Sequence, residues 1–283
     1  MSAAVSAFLT SCRARALSPR TVEYYGFFLV RLESAFEDPL GVALDGVRGF
    51  VASFSSWSVS SRRGMVRTLK LFYRFHGRAE LADGLVMPRK EHLLPDALRP
   101  VELSALLGAV RGHARDWALV LVLLDAGLRR SEISALDVQD LDLGAGWVIV
   151  RKGKGRKARV CPLGRVAVGA VRVYVGDRVE GPLFLAMDGQ RLRGEGVRKV
   201  VWRAGRRAGL ARRVYPHLLR HTCATSYLVN GGDVFTLQAL LGHSDPRITQ
   251  GYVQLSGQLL KSRHRLASPA DHAVRELTQA RLW

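Results

Sequence analysis

The first third of the chain carries apolar residues at the three- and four-residue spacing of amphipathic helices. The segment 18–36 begins with Ser18, a preferred N-cap residue, and Pro19, which suits the first helical position. Its apolar stripe consists of Val22, Tyr25, Phe28, Leu29 and Leu32. The segment 58–77 repeats the pattern with Met65, Leu69, Phe72 and Tyr73. These spacings predict a helical N-terminal domain.

The helical pattern breaks in residues 76–100, which contain two glycines and three prolines and show weak periodicity. A chain of 283 residues is about the length of two domains. We therefore predict a first domain over 1–77, a linker over 78–98 and a larger second domain over 99–283. The C-terminal tail of the second domain is expected to begin near residue 256.

The second domain mixes helical and β patterns. Helices are predicted near 101–111 and 115–126, and helical segments resume after residue 163. Between them, the β-like runs WVIV (147–150) and ARVCP (158–162) flank a basic Gly-Lys-Gly turn, which predicts a hairpin. The expected fold is mainly α with a small β-sheet or hairpin in an α+β second domain.

The charge balance indicates an anionic partner. The chain has 43 Lys and Arg against 24 Asp and Glu, a formal net charge of +19. Such an excess is typical of proteins that bind nucleic acid, and an anionic membrane surface is the alternative. The longest apolar run, 117–128, is too short to span a bilayer and contains Asp125, so membrane insertion is not expected. The predicted location is cytoplasmic, in association with the nucleoid.

The cysteines and the absence of two motifs argue against several kinds of site. Cys12, Cys161 and Cys223 are odd in number and far apart, which suits a reducing compartment and argues against a disulfide framework or a zinc site. The sequence has neither a Gly-x4-Gly-Lys-Ser/Thr phosphate loop nor a clear acidic cluster of the two-metal type. The notable groups are Arg, Lys, His and Tyr, which can stabilise a reacting phosphate without a metal ion.

The motif HLLRH brings basic side chains to the start of a predicted helix. Pro216 favours helix initiation, so His217 and Arg220 are expected in the first turn, where free N–H groups and the helix dipole favour an anion. Arg220 can bind a phosphate with two donors, and His217 can reach the same oxygens. A surface cluster, or a buried histidine bonded to backbone, is the alternative. Taken singly, Arg129 is typical of a surface arginine and Tyr252 of a half-buried core residue.

Together, these motifs are far more specific than any one of them. GLRRSEISAL, GKGRKARVCPLG, HLLRH, LGHSD and the following Tyr252 resemble, in order, the tyrosine recombinase (phage integrase) family, and bacterial Xer-type enzymes most closely. SPRTVEYY, residues 18–25, is similar to the first long helix of that family's N-terminal domain. The resemblance is strong after about residue 99 and weaker before it. It implies a helical DNA-clamping domain followed by a tyrosine-recombinase catalytic domain.

The resemblance assigns catalytic roles to the residues that match the family's motifs. These residues are Arg129, Lys154, His217, Arg220, His243 and Tyr252. The two arginines are expected to bind the non-bridging oxygens of the scissile phosphate, and the lysine to protonate the leaving 5′-oxygen. The tyrosine is the expected nucleophile, His217 helps to move or hold its proton, and His243 hydrogen-bonds the transition state. Glu132 is expected to orient its neighbours, and His221 and Thr222 to be structural.

Other basic residues are candidates for DNA contacts. Arg130 stands where a small apolar residue is common in the family, and two further lysines flank Lys154. The helix predicted over 58–77 carries basic residues, for which a solvated face is the alternative. The predicted DNA-binding residues are Arg62, Arg63, Arg67, Lys70, Arg130, Lys152 and Lys157.

The resemblance also implies a reaction and an assembly. Double-stranded DNA is cleaved and rejoined through a 3′-phosphotyrosine intermediate and a Holliday junction, without metal, ATP or another cofactor. The expected assembly is a homotetramer on two synapsed sites, with or without a partner recombinase. The C-terminal tail is expected to dock in trans onto a neighbouring subunit, and a solvated tail is the alternative.

Three other functions fit parts of the sequence. A tyrosine-type topoisomerase shares the chemistry, but the complete LGHSD region and the two-domain length favour a recombinase. A catalytically silent or partner-dependent DNA-binding protein of the same fold has no need of all six predicted catalytic residues. A basic membrane-surface protein leaves the interval from His243 to Tyr252 unexplained.

Overall fold

A computed structural model describes residues 1–89, 96–151 and 158–242, which are mainly helical with one small sheet. The helices are α1 (Ala3–Ala14), α2 (Pro19–Ala35), α3 (Leu44–Ser53), α4 (Val59–Phe75), α5 (Ala79–Gly84), α6 (Pro100–Val110), α7 (Ala114–Ala126), α8 (Arg130–Ala135), α9 (Arg165–Val175), α10 (Gly194–Arg207), α11 (Pro216–Val229) and α12 (Val234–Leu241). The strands are β1 (Leu141–Asp142), β2 (Trp147–Val150) and β3 (Arg159–Pro162). The predicted fold class is confirmed.

The chain divides into two compact units, Met1–His92 and Leu93–Trp283. In the first unit, helices α1, α2 and α4 enclose an apolar core, with α3 and α5 at its side. Helix α2 begins as predicted, because the Ser18 hydroxyl accepts a hydrogen bond from the Thr21 N–H at 3.2 Å. Helix α5 lies in the segment predicted as linker; it forms because Leu81 and Ala82 are buried in the same core.

The second unit is built around α7. This helix is buried on nearly all sides, which explains the long apolar run in its sequence, and it packs against α6, α9, α10 and α11. Helix α7 ends at Gly127, which has a left-handed backbone (φ +56°). In the described part of the chain, no helix is long and apolar enough to cross a membrane.

The sheet has the antiparallel order β1-β2-β3. In the predicted hairpin, Trp147 pairs with Pro162 and Val150 with Arg159. Val148, Val150 and Cys161 face the core, as the alternation of side chains along a strand requires. The hairpin is therefore confirmed, whereas β1 was not predicted because two residues carry no detectable pattern. The predicted basic turn, 152–157, lies outside the described residues.

Candidate active site

Arg220 lies at the centre of the site and is only 2% exposed. Pro216 is the first residue of α11, as predicted, and Arg220 follows one turn later. Its Nη1 donates to the Gly127 carbonyl at 2.6 Å and its Nη2 to the Leu241 carbonyl at 2.8 Å. These bonds join α11 to the ends of α7 and α12 and fix the guanidinium plane. The interpretation of this arginine as part of a surface cluster is therefore wrong.

Arg129 approaches the same end of α12. Its Nη2 donates to the Gly242 carbonyl at 3.3 Å, next to the Leu241 carbonyl that Arg220 binds. Its Nη1 donates to Glu132 Oε1 at 2.7 Å, and its backbone N–H donates to Glu132 Oε2 at 2.8 Å. The two arginines predicted to act together thus bind consecutive carbonyls.

Arg159, on β3, completes the cluster, and the sequence interpretation missed it. Its Nη1 and Nη2 donate to Glu132 Oε1 and Oε2 at 3.0 and 2.7 Å, a bidentate pair with both side chains largely buried. Burial raises the pKa of Glu132, but hydrogen bonds from Arg159 and the Arg129 backbone outweigh it and lower the pKa to about 2. Glu132 is therefore ionised at neutral pH and holds two guanidiniums.

Two histidines stand beside the arginines. The rings of His217 and His221 meet edge to face, with their centroids 4.3 Å apart. His217 is exposed as a whole residue, yet desolvation of its imidazole, and then the charges of Arg220 and Arg129, lower its pKa. Burial, and then His217 and Arg220, lower the pKa of His221 to about 4. Both rings are therefore neutral at pH 7, and a neutral imidazole can accept a proton.

The chain matches a known protein family and several of its members. The model of the phage integrase family matches residues 96–258, more than half of the chain. The chain belongs to that family. Tyrosine recombinase XerA of Pyrococcus furiosus is 32% identical over 262 residues, covering 90% of this chain and 90% of the relative. Tyrosine recombinase XerC of Pseudomonas aeruginosa is 35% identical over 294 residues, covering 95% of each. The chain is thus a tyrosine recombinase of the Xer type.

A solved structure shows the same fold. The lambda integrase tetramer bound to a Holliday junction aligns with a TM-score of 0.72 at 16% identity, covering 86% of this chain and 77% of the integrase chain. Family membership makes the chain a site-specific DNA recombinase.

The remaining predicted residues of this recombinase have different surroundings. Arg130 lies at the start of α8, and its Nη1 is 3.7 Å from Glu195 Oε2. Among the described residues, it has no hydrogen bond to the carbonyls that Arg129, Arg159 and Arg220 bind. Thr222 is buried, and its hydroxyl accepts a hydrogen bond from the Leu98 N–H at 2.9 Å, which fits the structural role predicted for it. The residues Lys152, Lys154, Lys157, His243 and Tyr252 lie outside the described residues.

The four basic residues predicted on α4 also differ from one another. Arg67 is exposed and lines a cavity of about 370 Å³ with Arg20 of α2. Lys70 Nζ donates to the Ala82 carbonyl at 2.6 Å, and Arg63 donates to the Pro88 carbonyl. Arg62 Nε is buried and has no hydrogen-bond partner within the described ranges. Arg67 is therefore the member of this group best placed for a phosphate.

The described part of the chain contains neither a reactive cysteine nor a group of side chains that could hold a metal ion. All three cysteines are buried and free. Burial raises the pKa of the Cys161 thiol and, followed by Asp125, raises that of Cys223 to about 12, so both thiols are protonated and poorly nucleophilic. Over 1–89, 96–151 and 158–242, no three His, Cys, Asp or Glu side chains are grouped so that they could hold a metal ion.

Proposed function

We propose that this recombinase cleaves and rejoins double-stranded DNA through a 3′-phosphotyrosine intermediate on Tyr252. The observation that carries the proposal is the convergence of Arg129 and Arg220 on the consecutive carbonyls of Gly242 and Leu241. Two guanidiniums held at one point match the non-bridging oxygens of a phosphodiester. Negative charge grows on these oxygens during attack, so fixed donors there stabilise the transition state more than the ground state.

The charges of the cluster suit an anionic substrate. Arg129 and Arg159 share the single carboxylate of Glu132, which leaves this group of three with a positive charge. Because the pKa of Glu132 is about 2, the carboxylate takes up no proton near pH 7 and serves to orient the arginines. Loss of one preorganised donor of this kind typically costs about 10²–10³ in rate.

The reaction balances with the predicted residues. The Tyr252 phenol attacks the phosphorus, the bond from phosphorus to the 5′-oxygen breaks, and Lys154 gives that oxygen a proton. A phenol with a pKa near 10 is only about one-thousandth ionised at pH 7, so His217, neutral for the reasons above, takes or holds its proton. His243 hydrogen-bonds the phosphate in the transition state.

Rejoining reverses these bonds. The 5′-hydroxyl of the partner strand gives its proton to Lys154 and attacks the phosphotyrosine. The bond from phosphorus to the tyrosine oxygen breaks, and Tyr252 recovers its proton from His217. The covalent intermediate retains the energy of the phosphodiester, so neither ATP nor a metal ion takes part in this proposal. Exchange of one strand pair forms a Holliday junction, and exchange of the second resolves it.

The proposed assembly is a homotetramer on two DNA sites, with or without a partner recombinase. The lambda integrase that shares the fold is a tetramer on a Holliday junction. The C-terminal tail, from about residue 256, docks in trans onto a neighbouring subunit. Deletion of residues 267–283 should spare binding to a single duplex and abolish tetramers on a synthetic four-way junction, measured by sedimentation velocity. A tetramer that persists would contradict the role of the tail.

In this proposal the first domain, 1–77 together with helix α5, clamps the DNA, with Arg67 as its best-supported phosphate contact. The rest of the segment 78–98 is the linker, and 99–283 is the catalytic domain. The net charge of +19 supports DNA binding by the chain, since phosphate contacts dominate affinity for DNA. Action on genomic DNA assigns the protein to the nucleoid in the cytoplasm.

The arginines provide the test of this function. Nicked duplexes of random sequence, with EDTA present and ATP omitted, would be incubated with wild type, Arg129→Ala and Arg220→Ala, and covalent adducts separated on a denaturing gel. Each variant should form adduct about 100-fold or more slowly while binding random duplex at a similar affinity. Adduct formation at the wild-type rate in both variants would contradict the proposed phosphate site. Tight binding without any adduct in wild type would favour the silent DNA-binding protein.

A further inference from the structure

Arg159 connects three segments that the proposed chemistry uses. It lies on β3, five positions after Lys154 in the sequence, and it holds Glu132 of α8 with two hydrogen bonds. Its Nε donates to the Leu240 carbonyl at 2.9 Å, one residue before the carbonyl that Arg220 binds. Its side chain is 11% exposed.

Arg159 can influence the orientation of Arg129 because both arginines bind the same carboxylate, that of Glu132. Glu132 Oε1 accepts hydrogen bonds from both arginines, at 2.7 Å from Arg129 Nη1 and 3.0 Å from Arg159 Nη1. A bidentate guanidinium fixes the plane of a carboxylate, because its two donors match the two oxygens. The position of Oε1 in turn determines the direction in which the Arg129 guanidinium points.

The end of α12 depends on Arg159 as well. Gly242 has a left-handed backbone (φ +62°), and a Cβ there would lie 3.1 Å from Cδ of Arg159, so the main chain passes close to the arginine stem. The Cys161 thiol, on the same face of β3, also reaches the Leu240 carbonyl, at 3.5 Å. Arg159 therefore fixes the turn whose carbonyls orient both Arg129 and Arg220.

We propose that Arg159 is a positioning residue for strand cleavage: acting through Glu132 and the end of α12, it aims the guanidinium of Arg129 at the scissile phosphate. The inference rests on the proposed function, in which Arg129 binds that phosphate. In this proposal Arg159 does not contact the phosphate, because Glu132 and the Leu240 carbonyl occupy its donors. An error of about 1 Å in the position of a reacting group can cost about 10² in rate. Loss of the bidentate pair between Arg159 and Glu132 should therefore slow strand cleavage measurably.

Arg159→Lys is the informative change, because lysine keeps the charge and loses the planar fork. Arg191→Lys is the matched control. Arg191 also bonds to the α8 region, donating to the Ser134 and Leu136 carbonyls at 3.3 and 3.0 Å, but at the end of the helix away from Arg129. Thermal unfolding of both variants would measure the general cost of replacing a multiply bonded arginine.

The rate of adduct formation in a single turnover would be measured on the nicked duplexes recovered from wild-type adducts. Arg159→Lys should slow it about 100-fold, with the Kd for the duplex changed less than about threefold, whereas Arg191→Lys should alter neither by more than about threefold. In an Arg129→Lys background, Arg159→Lys should slow the reaction by less than about threefold more, because the residue it positions is already altered. A full 100-fold effect in that background, or none in wild type, would overturn the inference.

A second readout separates this inference from the proposed function. Hydrogen exchange at the Arg129 guanidinium, followed by NMR in the free protein, should be slow in wild type and in Arg191→Lys, and faster in Arg159→Lys. Unchanged exchange in Arg159→Lys would overturn the inference even where adducts form. Faster exchange together with no wild-type adduct would support the link from Arg159 to Arg129 and contradict the recombinase chemistry instead.

Discussion

Gly127→Ala should destabilise the second unit more than an ordinary glycine substitution at a helix end. Gly127 has φ +56°, where a Cβ costs about 1–2 kcal/mol. The added Cβ would also lie 2.5 Å from Cδ2 of Leu241 and 3.1 Å from Sγ of Cys223, both of which are buried. Because Leu241 cannot move into solvent, overpacking should add about 1–3 kcal/mol. The expected total is about 2–5 kcal/mol.

Gly209→Ala is the matched control for this prediction. Gly209 follows α10 in the same unit, has a similar positive φ of +67°, and a Cβ there would meet no described atom within 4 Å. Gly209→Ala should therefore lower the free energy of unfolding only through the unfavourable backbone conformation, by about 1–2 kcal/mol. The difference between the two variants isolates the contact with Leu241 and Cys223.

Urea unfolding followed by tryptophan fluorescence would measure both costs, in a Trp57→Phe background so that the remaining tryptophans belong to the second unit. Gly127→Ala should also slow adduct formation, because the Gly127 carbonyl accepts from Arg220 Nη1 and a shift of the turn moves that acceptor. Equal destabilisation by the two substitutions, with normal cleavage by Gly127→Ala, would refute the packing argument.

Two further predictions concern pH and salt. Burial, and then His217, lower the pKa of His221 from 6.5 to about 4, so the unfolded chain binds the proton more tightly than the folded chain. The free energy of unfolding should therefore fall as the pH drops from about 6.5 towards 4. His221→Gln should flatten this part of the profile measured by urea unfolding, and an unchanged profile would contradict the lowered pKa of His221. Arg67→Ala should reduce the slope of log K against log salt on random duplex by about one, as measured by fluorescence anisotropy. Lys70→Ala, which removes a bond to the Ala82 carbonyl, should leave that slope unchanged; equal effects on the slope would contradict the distinction.

The convergence of Arg129 and Arg220 follows from the sequence only through the family motifs. Residues 91 positions apart carry no local signal of contact, and Arg129 alone resembles a surface residue. The order of the family's motifs indicated that Arg129 and Arg220 act together. They did not indicate that Arg220 is buried, because its burial depends on the carbonyls at the ends of α7 and α12, which only the tertiary structure brings together.

Arg159 shows where the interpretation of the sequence stopped short. The run ARVCP was predicted as a strand, and alternation puts residues 159 and 161 on the same face. Cysteine is among the residue types most often buried, so the pattern contained a signal for an inward-facing arginine that needs a buried acid. The identity of that acid, Glu132, depends on long-range pairing and could not be predicted. Helix α5 was missed for a similar reason, since its two buried residues are too few to form a periodic pattern.

Identification of the residue that becomes bonded to DNA tests the proposed reaction most directly. Wild type and Tyr252→Phe would be incubated with the nicked random duplexes in EDTA, and the adduct digested and sequenced by mass spectrometry. We expect a nucleotide 3′-phosphate on Tyr252 in wild type and no adduct with Tyr252→Phe. An adduct on another residue, or one that forms equally in Tyr252→Phe, would contradict the proposed role of Tyr252.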